Sequence, residues 1–380
     1  MKSILIYGTG SYVLGNKIIK PVILPSILNY IKFSNLNYNL VFIKNKKNKI
    51  SYIVNSIEKI FREYNISLPY KIHFLKKQKN SEIISSYKDI FCSIISIPDN
   101  EHFKVTKLCL QQGIDVIVVK PLVTNVNENK ILINIAKKNN CLGFVDYHKR
   151  FDKHSMLIKN FNNKQINQLY LIDISYSQKK LVATKVFNWT EKTNVLNYLG
   201  SHYIDFVYHT TGFKPSSVMA IGTKKYLINK NINTYDSIIC LIKWKKGKNS
   251  FILNLKTNWI DPIKETSMSD QKVTLFYTNG KIISDQKDRG FYLSSDQNDY
   301  ESINPDFNQK FNFNNNLLND YQGYGFKSIS TFLNLINLKR NNKKFKYEMY
   351  PNLEQSLIVS MVLEAASKSL RNKSKWIEIL

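Results

Sequence analysis

The stretch Ile4-Leu5-Ile6-Tyr7-Gly8-Thr9-Gly10-Ser11-Tyr12 decides the fold of the first part of the chain. Its apolar run, residues 4–7, predicts a buried strand that stops at Gly8. Gly8 and Gly10 permit a tight turn and the close approach of a phosphate, because glycine has no Cβ. A helix that begins after Gly10 would direct its N-terminal N–H groups at that phosphate. The stretch therefore predicts a dinucleotide-binding turn, although Val13 stands where the usual pattern has a third glycine and an ordinary surface turn is the alternative.

Strand-like and helix-like segments alternate through residues 1–147, the first candidate domain. This alternation is typical of an α/β architecture, a doubly wound parallel sheet with helices on both faces. Pro21 and Pro25 are predicted to break the first helical region. Further strands are predicted at 39–44, 71–75, 90–98, 115–119 and 142–145, and helices at 50–64, 103–112 and 126–139.

The pattern changes in residues 148–380, the second candidate domain. Extended segments follow one another with short turns, which favours an α+β domain with a large, mostly antiparallel open sheet covered by helices. Residues 304–318 are rich in Asn and are predicted to form a long irregular connection. Helices are predicted at 151–161, 195–211, 325–338 and 353–370, and strands at 169–178, 217–222, 237–244, 251–258, 273–277, 290–293 and 376–380.

Length and composition argue against several classes of protein. With 380 residues, of which 43% are hydrophobic, the chain can bury two sizeable cores. It has no run of about 18 uncharged apolar residues, so no membrane span is expected. Because the first strand begins almost at the first residue, we expect no signal peptide and a cytoplasmic protein. The four cysteines, Cys92, Cys109, Cys141 and Cys240, lack C-x-x-C spacing, and the apolar surroundings of the first three predict reduced, buried thiols and no metal site.

The chain is strongly basic, with 55 Lys and Arg against 28 Asp and Glu and a formal net charge of +27. Such a balance suggests nucleic acid as a partner. The lysines are nevertheless spread along the chain, and the joint abundance of Lys, Asn, Ile, Tyr and Phe is typical of A/T-rich codons. We therefore predict no nucleic-acid partner, and a positive surface that attracts anionic small molecules such as phosphorylated cofactors.

The end of the second predicted strand decides which cofactor the dinucleotide turn would take. An acidic residue there binds the ribose 2′-OH of NAD, whereas a basic residue accommodates the 2′-phosphate of NADP. The sequence at this point is Lys44-Asn45-Lys46-Lys47, without a carboxylate. It favours NADP over NAD, and the general abundance of lysine in this chain is the alternative explanation.

Several separated stretches together resemble the Gfo/Idh/MocA oxidoreductases, the group of glucose–fructose oxidoreductase and inositol dehydrogenase. Their order and spacing carry the resemblance, which extends over nearly the whole chain. Residues 118–121 correspond to the family pattern E-K-P, and residues 200–205 correspond to G-x-H-x-x-D. Residues 148–151 contain the R-F pair that the family has at the domain junction. The matching stretches are Gly8-Thr9-Gly10, Ile97-Pro98-Asp99-Asn100-Glu101-His102, Val118-Val119-Lys120-Pro121, His148-Lys149-Arg150-Phe151 and Gly200-Ser201-His202-Tyr203-Ile204-Asp205.

The resemblance implies an N-terminal Rossmann domain that binds NADP or NAD, and a C-terminal domain that binds a sugar. It also implies a homodimer or homotetramer formed through the C-terminal sheet, and no metal. The residues that it assigns to the cofactor are Gly8, Thr9, Gly10, Ser11, Tyr12, Lys44, Ile97, Pro98, Asn100, His102, Lys120 and Pro121.

Lys120 and His202 are the candidate catalytic residues. Lys120 closes a predicted parallel strand, and its ammonium could stabilise the alkoxide character of a reacting sugar oxygen. A histidine on a helix can take and return the proton of a hydroxyl, and the resemblance gives that role to His202. The candidate substrate-binding residues are Tyr198, Asp205, Arg150 and Trp189, with Tyr176 and Lys179 as further candidates for the pocket wall. A structural ion pair with a carboxylate of the second domain is the alternative for Arg150.

Two departures from the family pattern affect the expected chemistry. Val119 stands where the family usually has Glu, and Tyr198 stands where many members carry Asp. The implied reaction is hydride transfer between C4 of nicotinamide and a carbinol or carbonyl carbon of a sugar or sugar derivative. Two alternatives stay open: a redox-silent NADP-binding regulator of the same fold, and a glycosidase that uses bound NAD for transient oxidation.

Overall fold

The computed structural model of the protein describes residues 1–34, 36–45, 50–75, 77–295, 298–311 and 320–379. The contacts divide the chain into two compact units. The first unit comprises Met1–Leu122, Asn129–His148 and Asp306–Glu354, and the second comprises Val123–Glu128, Lys149–Pro305 and Gln355–Leu380. The return of Asp306–Glu354 to the first unit is a feature that the predicted boundary at residue 147 does not include.

A six-stranded parallel sheet forms the centre of the described part of the first unit, which confirms the doubly wound α/β prediction. The strand order β3-β2-β1-β4-β5-β6 changes direction between β1 and β4, the position where such sheets bind ligands. The side chains of the strands are almost continuously buried, as expected for strands covered on both faces, except in the edge strand β3, where they are half-buried or exposed. The strands are β1 Lys2–Tyr7, β2 Tyr38–Lys44, β3 Tyr70–Phe74, β4 Ile90–Ile95, β5 Val116–Val119 and β6 Gly143–Asp146.

The helices between these strands lie close to their predicted bounds, with two differences. The short helix α4 was not predicted, because six residues carry too little periodicity. Pro25 does not break the first helical region, since it lies in the first turn of α2, where a missing N–H costs nothing. The helices are α1 Ser11–Leu14, α2 Ile23–Ser34, α3 Ile50–Tyr64, α4 Asn80–Ser85, α5 His102–Gln111 and α6 Val126–Lys138.

A seven-stranded sheet of order β12-β11-β7-β10-β9-β8-β17 dominates the described part of the second unit. Only β7 and β10 pair in parallel among its described strands, which confirms the prediction of a mostly antiparallel sheet. Two helices, α7 Lys153–Gln165 and α8 Ser201–Thr211, belong to this unit. Its sheet strands are β7 Leu169–Lys179, β8 Lys214–Thr223, β9 Ser237–Lys246, β10 Asn249–Asp261, β11 Ser269–Tyr277, β12 Gly280–Asp285 and β17 Ile377–Glu378.

Two predicted segments differ from the structure. The single helix predicted at 195–211 is divided at Gly200 into a π-helical turn, Leu196–Gly200, and α8. The predicted irregular connection at 304–318 contains a short strand, and its residues 312–318 lie outside the described residues. Four short strands form two separate hairpins, β13 Tyr292–Ser295 with β14 Asn298–Ser302, and β15 Gln309–Phe311 with β16 Asp320–Gln322.

Two long helices close the chain. Helix α9, Tyr324–Arg340, packs in the first unit, where Phe332 stacks on Phe144 of β6 with ring centroids 4.9 Å apart. Helix α10, Leu353–Arg371, ends in the second unit, where the hydroxyl of Ser369 accepts a hydrogen bond of 2.9 Å from the N–H of Ala220. Neither these helices nor any other helix in the described ranges has the length and hydropathy of a membrane span.

Candidate active site

The glycine turn joins three strands at the carboxyl edge of the first sheet. Gly8 has a φ of +106°, and a Cβ added to it would lie 2.0 Å from the carbonyl oxygen of Ser96. Its N–H donates a hydrogen bond of 2.9 Å to the carbonyl of Ile43, at the end of β2. A Cβ added to Gly10, by contrast, would meet no described atom within 4 Å. Gly8 is thus required by the fold, whereas Gly10 faces open space that suits a phosphate.

His102 connects the segments that follow β4 and β5. Its Nδ1 lies 2.7 Å from the carbonyl oxygen of Pro121, and its Nε2 lies 2.9 Å from that of Ile97. Burial lowers the pKa of this imidazole, although Asp99 and the carbonyl oxygens favour its charged form. Because its two ring nitrogens contact the carbonyl oxygens of Pro121 and Ile97, His102 holds these two segments at a fixed distance and thereby positions Pro121.

Lys120 directly follows β5 at the same edge of the sheet, and it is half-buried. Its peptide bond to Pro121 is cis. Burial lowers the pKa of the Lys120 ammonium to about 7, while the carboxylates of Asp99 and Asp146 act in the opposite direction. Lys120 can therefore gain or lose a proton near neutral pH, which an exposed lysine cannot do.

Asp146, the last residue of β6, is the centre of a polar cluster that the sequence did not single out. Its carboxylate accepts hydrogen bonds from the hydroxyls of Tyr12, at 2.7 Å, and Ser328. Nδ1 of His148 lies 3.8 Å from this carboxylate and 3.3 Å from the Tyr12 hydroxyl oxygen. Burial alone would raise the pKa of Asp146, but His148 and the two hydroxyls hold it below its usual range. An aspartate at the end of an apolar strand was the signal in the sequence.

The remaining predicted cofactor residues lie on or near the same edge. Lys44 is the last residue of β2 and is half-buried, while Asn100 is exposed. Lys46 and Lys47, which were part of the NADP prediction, lie outside the described residues. Partial exposure is shared by Thr9, Ser11, Tyr12, Ile97, Pro98 and Lys120.

In the second unit, Arg150 and Asp205 form a buried ion pair. Nε and Nη2 of Arg150 donate to the two carboxylate oxygens of Asp205 at 2.8 and 2.5 Å, and Nη1 donates to Oε1 of Gln355 at 2.5 Å. Burial raises the pKa of Asp205, and the charge and hydrogen bonds of Arg150 oppose this effect. This is the ion pair with a second-domain carboxylate that the sequence left open. It braces α8, on which His202 lies with 2% of its surface exposed.

Tyr198 and Trp189 belong to a cluster of aromatic rings in the same unit. Phe187 lies between them, with centroids 4.7 Å from Trp189 and 4.9 Å from Tyr198. The buried ring of Trp259 supports Tyr198 at 5.6 Å. The rings of Phe187, Trp189 and Tyr198 are half-buried and therefore form a partly exposed aromatic surface. Tyr198 lies four residues before His202 in the sequence. Apolar faces of ring-shaped ligands pack against such surfaces.

A second charged network lies in the interior of this unit. Nζ of Lys149 donates to Oε1 of Gln286 at 2.7 Å and lies 3.7 Å from Asp152, which also pairs with Arg289 at 2.6 Å. Burial lowers the pKa of Lys149 to about 8, although the charge of Asp152 acts against it. Tyr203 donates its hydroxyl proton to Gln286 as well, at 2.9 Å. These contacts hold the start of the unit together.

Two of the candidates for the pocket wall lie on β7. Tyr176 is buried and packs edge-on against Tyr203 at 5.5 Å, so it belongs to the core, and Lys179 ends the strand. Among the described residues, no group of three or more His, Cys, Asp or Glu could hold a metal ion. The four cysteines are free thiols; Cys92 and Cys109 are buried as predicted, and so is Cys240, whereas Cys141 is half-buried.

Residues 44–147 match the sequence profile of an oxidoreductase family with an NAD-binding Rossmann fold, GFO_IDH_MocA. The chain is also 28% identical over 132 residues to scyllo-inositol 2-dehydrogenase (NADP(+)) IolW of Bacillus subtilis, a match that covers 33% of this chain and 36% of that protein. The chain thus spans little more than a third of the length of the curated relatives it matches.

Solved structures of the same fold cover the whole chain. GenD2 from gentamicin A biosynthesis, in complex with NAD, gives a TM-score of 0.70 at 11% identity and covers 100% of this chain and 96% of its own. Scyllo-inositol dehydrogenase from Lactobacillus casei, with bound NAD(H) and scyllo-inositol, gives 0.65 at 14% identity, with 100% and 99% covered. At these identities the likeness concerns the fold alone.

Proposed function

We propose that the chain is a member of the Gfo/Idh/MocA oxidoreductase family and an NAD(P)-dependent oxidoreductase that acts on a CH–OH group of a sugar or sugar derivative, with the match of residues 44–147 to the family profile and the inositol dehydrogenase relative in support. The observation that carries this proposal is Lys120, an ammonium with a pKa near 7 at the carboxyl edge of a doubly wound sheet that also carries the glycine turn. The sugar-like substrates and nicotinamide cofactors in the names of the relatives support it.

The cofactor, when bound, supplies the nicotinamide that accepts or donates the hydride. The glycine turn fits its pyrophosphate, because Gly8 makes the turn and nothing fills the space in front of Gly10. Lys44 would bind the 2′-phosphate of NADP, the cofactor that we propose is preferred over NAD. Thr9, Ser11, Tyr12, Ile97, Pro98 and Asn100 would contact the remainder.

The residues of this chain would bind and deprotonate the reacting hydroxyl. Lys120 would donate a hydrogen bond to the substrate oxygen and stabilise its negative charge as the hydride leaves the carbon. In the second unit, His202 would be the general acid–base group that takes the proton of a substrate hydroxyl and returns it in the reverse reaction. Arg150 and Asp205 would hold α8 in place for His202, and Trp189 and Tyr198 would pack against the sugar ring.

Two variants test the proposed roles, with a panel of inositols and sugars and both NAD and NADP. Lys120→Met keeps the aliphatic stem but removes the donor, and we expect it to lower kcat/KM on the order of 10²-fold or more. His202→Ala should cost a similar factor without changing the affinity for the cofactor. Lys104→Met, at an exposed position on α5, is the control and should leave turnover unchanged.

The pH profile adds a signature of Lys120. As the pH rises through about 7, the ammonium loses its proton, so the part of kcat/KM that needs a cation should fall. Lys120→Met should lack this fall. Wild-type rates in both variants would disprove the mechanism, whereas a wild-type protein that binds NADP and turns over none of the panel would favour the redox-silent regulator.

A further inference from the structure

We propose that Asp146 is a positioning residue, whose buried carboxylate holds Lys120 as an ammonium ion and fastens the glycine turn to the end of β6 through Tyr12. The role of Asp146 in hydride transfer rests on the proposed function. Its structural content concerns the first unit alone and can be tested without a substrate.

The strand register places Asp146 at the carboxyl end of β6, level with the residue that precedes Lys120. In the pairing of β5 with β6, Asp146 is the partner of Val119, the residue before Lys120. The apolar side chain of Val119 supplies no charge at this position. Two carboxylates favour the protonated form of Lys120 by their charge: Asp99 after β4, which has the larger effect, and Asp146.

The surroundings of Asp146 keep its carboxylate ionised. The residue is 1% exposed, and an isolated carboxylate in such a place would be protonated. Two hydroxyl donors and the imidazole of His148 offset that cost. Because water screens little at a buried site, the charge then acts strongly on the neighbouring ammonium.

Tyr12 gives the cluster its second role. It follows the glycine turn by two residues, and its hydroxyl reaches across the sheet edge to the last residue of β6. The titratable groups that face this pair are Tyr12 from α1, Asp99 from the segment after β4 and His148 from the segment after β6; the charge of Asp99 acts on His102 as well. The aromatic rings of Phe307 and Tyr324 cover His148 at 5.3 and 5.5 Å.

The test measures the ionisation of Lys120 directly, by competitive acetylation with acetic anhydride across pH and mass analysis of the peptide that carries it. In Asp146→Asn the midpoint for Lys120 should move down from about 7 by about one pH unit, so that labelling at pH 6 rises about fivefold. Asp146→Glu should keep the wild-type midpoint. Asp115→Asn is the matched control, since Asp115 is a buried carboxylate at the opposite end of β5. An equal midpoint in Asp146→Asn and wild type would overturn the inference.

A second variant covers the case in which Asp146→Asn does not fold. Tyr12→Phe, at a half-buried position, removes one donor from the carboxylate, so Asp146 should take up its proton at a higher pH than in wild type, as followed by carbon NMR. An unchanged titration of Asp146 would overturn the role of Tyr12. A protein without turnover would refute the proposed function but leave both titrations decisive. With turnover, the fall of kcat/KM at high pH should move to lower pH in Asp146→Asn.

Discussion

Lys44 is the residue at which the choice between the two cofactors can be tested. It ends β2, where no carboxylate is available for the ribose 2′-OH. We expect the wild-type protein to bind NADP(H) more tightly than NAD(H). Lys44→Ser should weaken NADP(H) binding about 10- to 100-fold and leave NAD(H) binding nearly unchanged, because a hydrogen bond to a charged group is worth about 1.5–3 kcal/mol.

Titration of the intrinsic tryptophan fluorescence measures both affinities. Lys71→Ser, at an exposed position on the neighbouring strand β3, serves as the control for a general loss of positive charge. If wild-type protein preferred NAD(H), the lysines at the end of β2 would reflect only the composition of the chain.

At the scale of the element, the two glycines of the turn have different roles: Gly8 is needed for folding, and Gly10 is proposed to be needed for cofactor binding. Gly8→Ala would place a Cβ 2.0 Å from a backbone oxygen at a φ of +106°, so it should lower the thermal midpoint markedly. Gly10→Val should instead leave the fold intact and abolish dinucleotide binding, because its side chain would occupy the open space proposed for the pyrophosphate.

Calorimetry and cofactor titration on the same two variants provide the comparison. Gly280→Val is a suitable control, since a Cβ at this other glycine also meets no described atom within 4 Å and lies far along the chain. Normal cofactor binding by Gly10→Val would exclude the turn as the phosphate site.

The sequence predicted the bounds of the helices and strands better than the tertiary contacts between them. The bounds of α3 agree with the predicted 50–64, because a long amphipathic helix and the strands around it carry a clear period. The contact of Tyr12 with Asp146 depends on the place of β6 in the sheet, 134 residues along the chain from Tyr12, and no local pattern encodes it. The same holds for the return of α9 to the first sheet.

Local chemistry explains the other differences. The predicted helix at 195–211 divides at Gly200, where an added Cβ would lie 2.6 Å from Leu196. The sequence placed Lys120, His202 and Arg150 on their elements, yet it left open whether Arg150 binds a substrate or a carboxylate. The structure shows that Arg150 binds the carboxylate of Asp205. Both groups are buried, and a buried charge without an opposite partner would be strongly destabilising.

At the scale of the whole molecule, the positive charge and the exposed face of the second unit's sheet determine which partners the protein is expected to bind. The net charge of +27 should give the protein a positive field that attracts anionic cofactors and repels like-charged copies at low salt. Any self-association therefore needs an apolar surface. The absence of a nucleic-acid partner stays a prediction.

The outer face of the second unit's sheet offers such a surface. Ile221 and Ile239 are paired in register and are 54% and 43% exposed, and Ile252 and Ile283 lie on the same face at 42% and 56%. Four exposed isoleucines on one sheet face are typical of an interface between subunits. We therefore expect a homodimer, or a homotetramer built from it, formed through this face.

Light scattering after size-exclusion chromatography at moderate salt tests the assembly. Wild-type protein should elute at twice the chain mass or more, and Ile239→Lys should elute as a monomer, because a buried lysine in the centre of the face would lack a partner. Leu157→Lys is the control, since Leu157 is 68% exposed on α7, away from the sheet face, and the variant should assemble as wild type. A monomeric wild-type protein, or an Ile239→Lys variant of unchanged mass, would mean that the isoleucine face is not the interface. Because Lys120 and the glycine turn belong to the first unit, cofactor affinity should be the same in the monomeric variant, which separates assembly from binding.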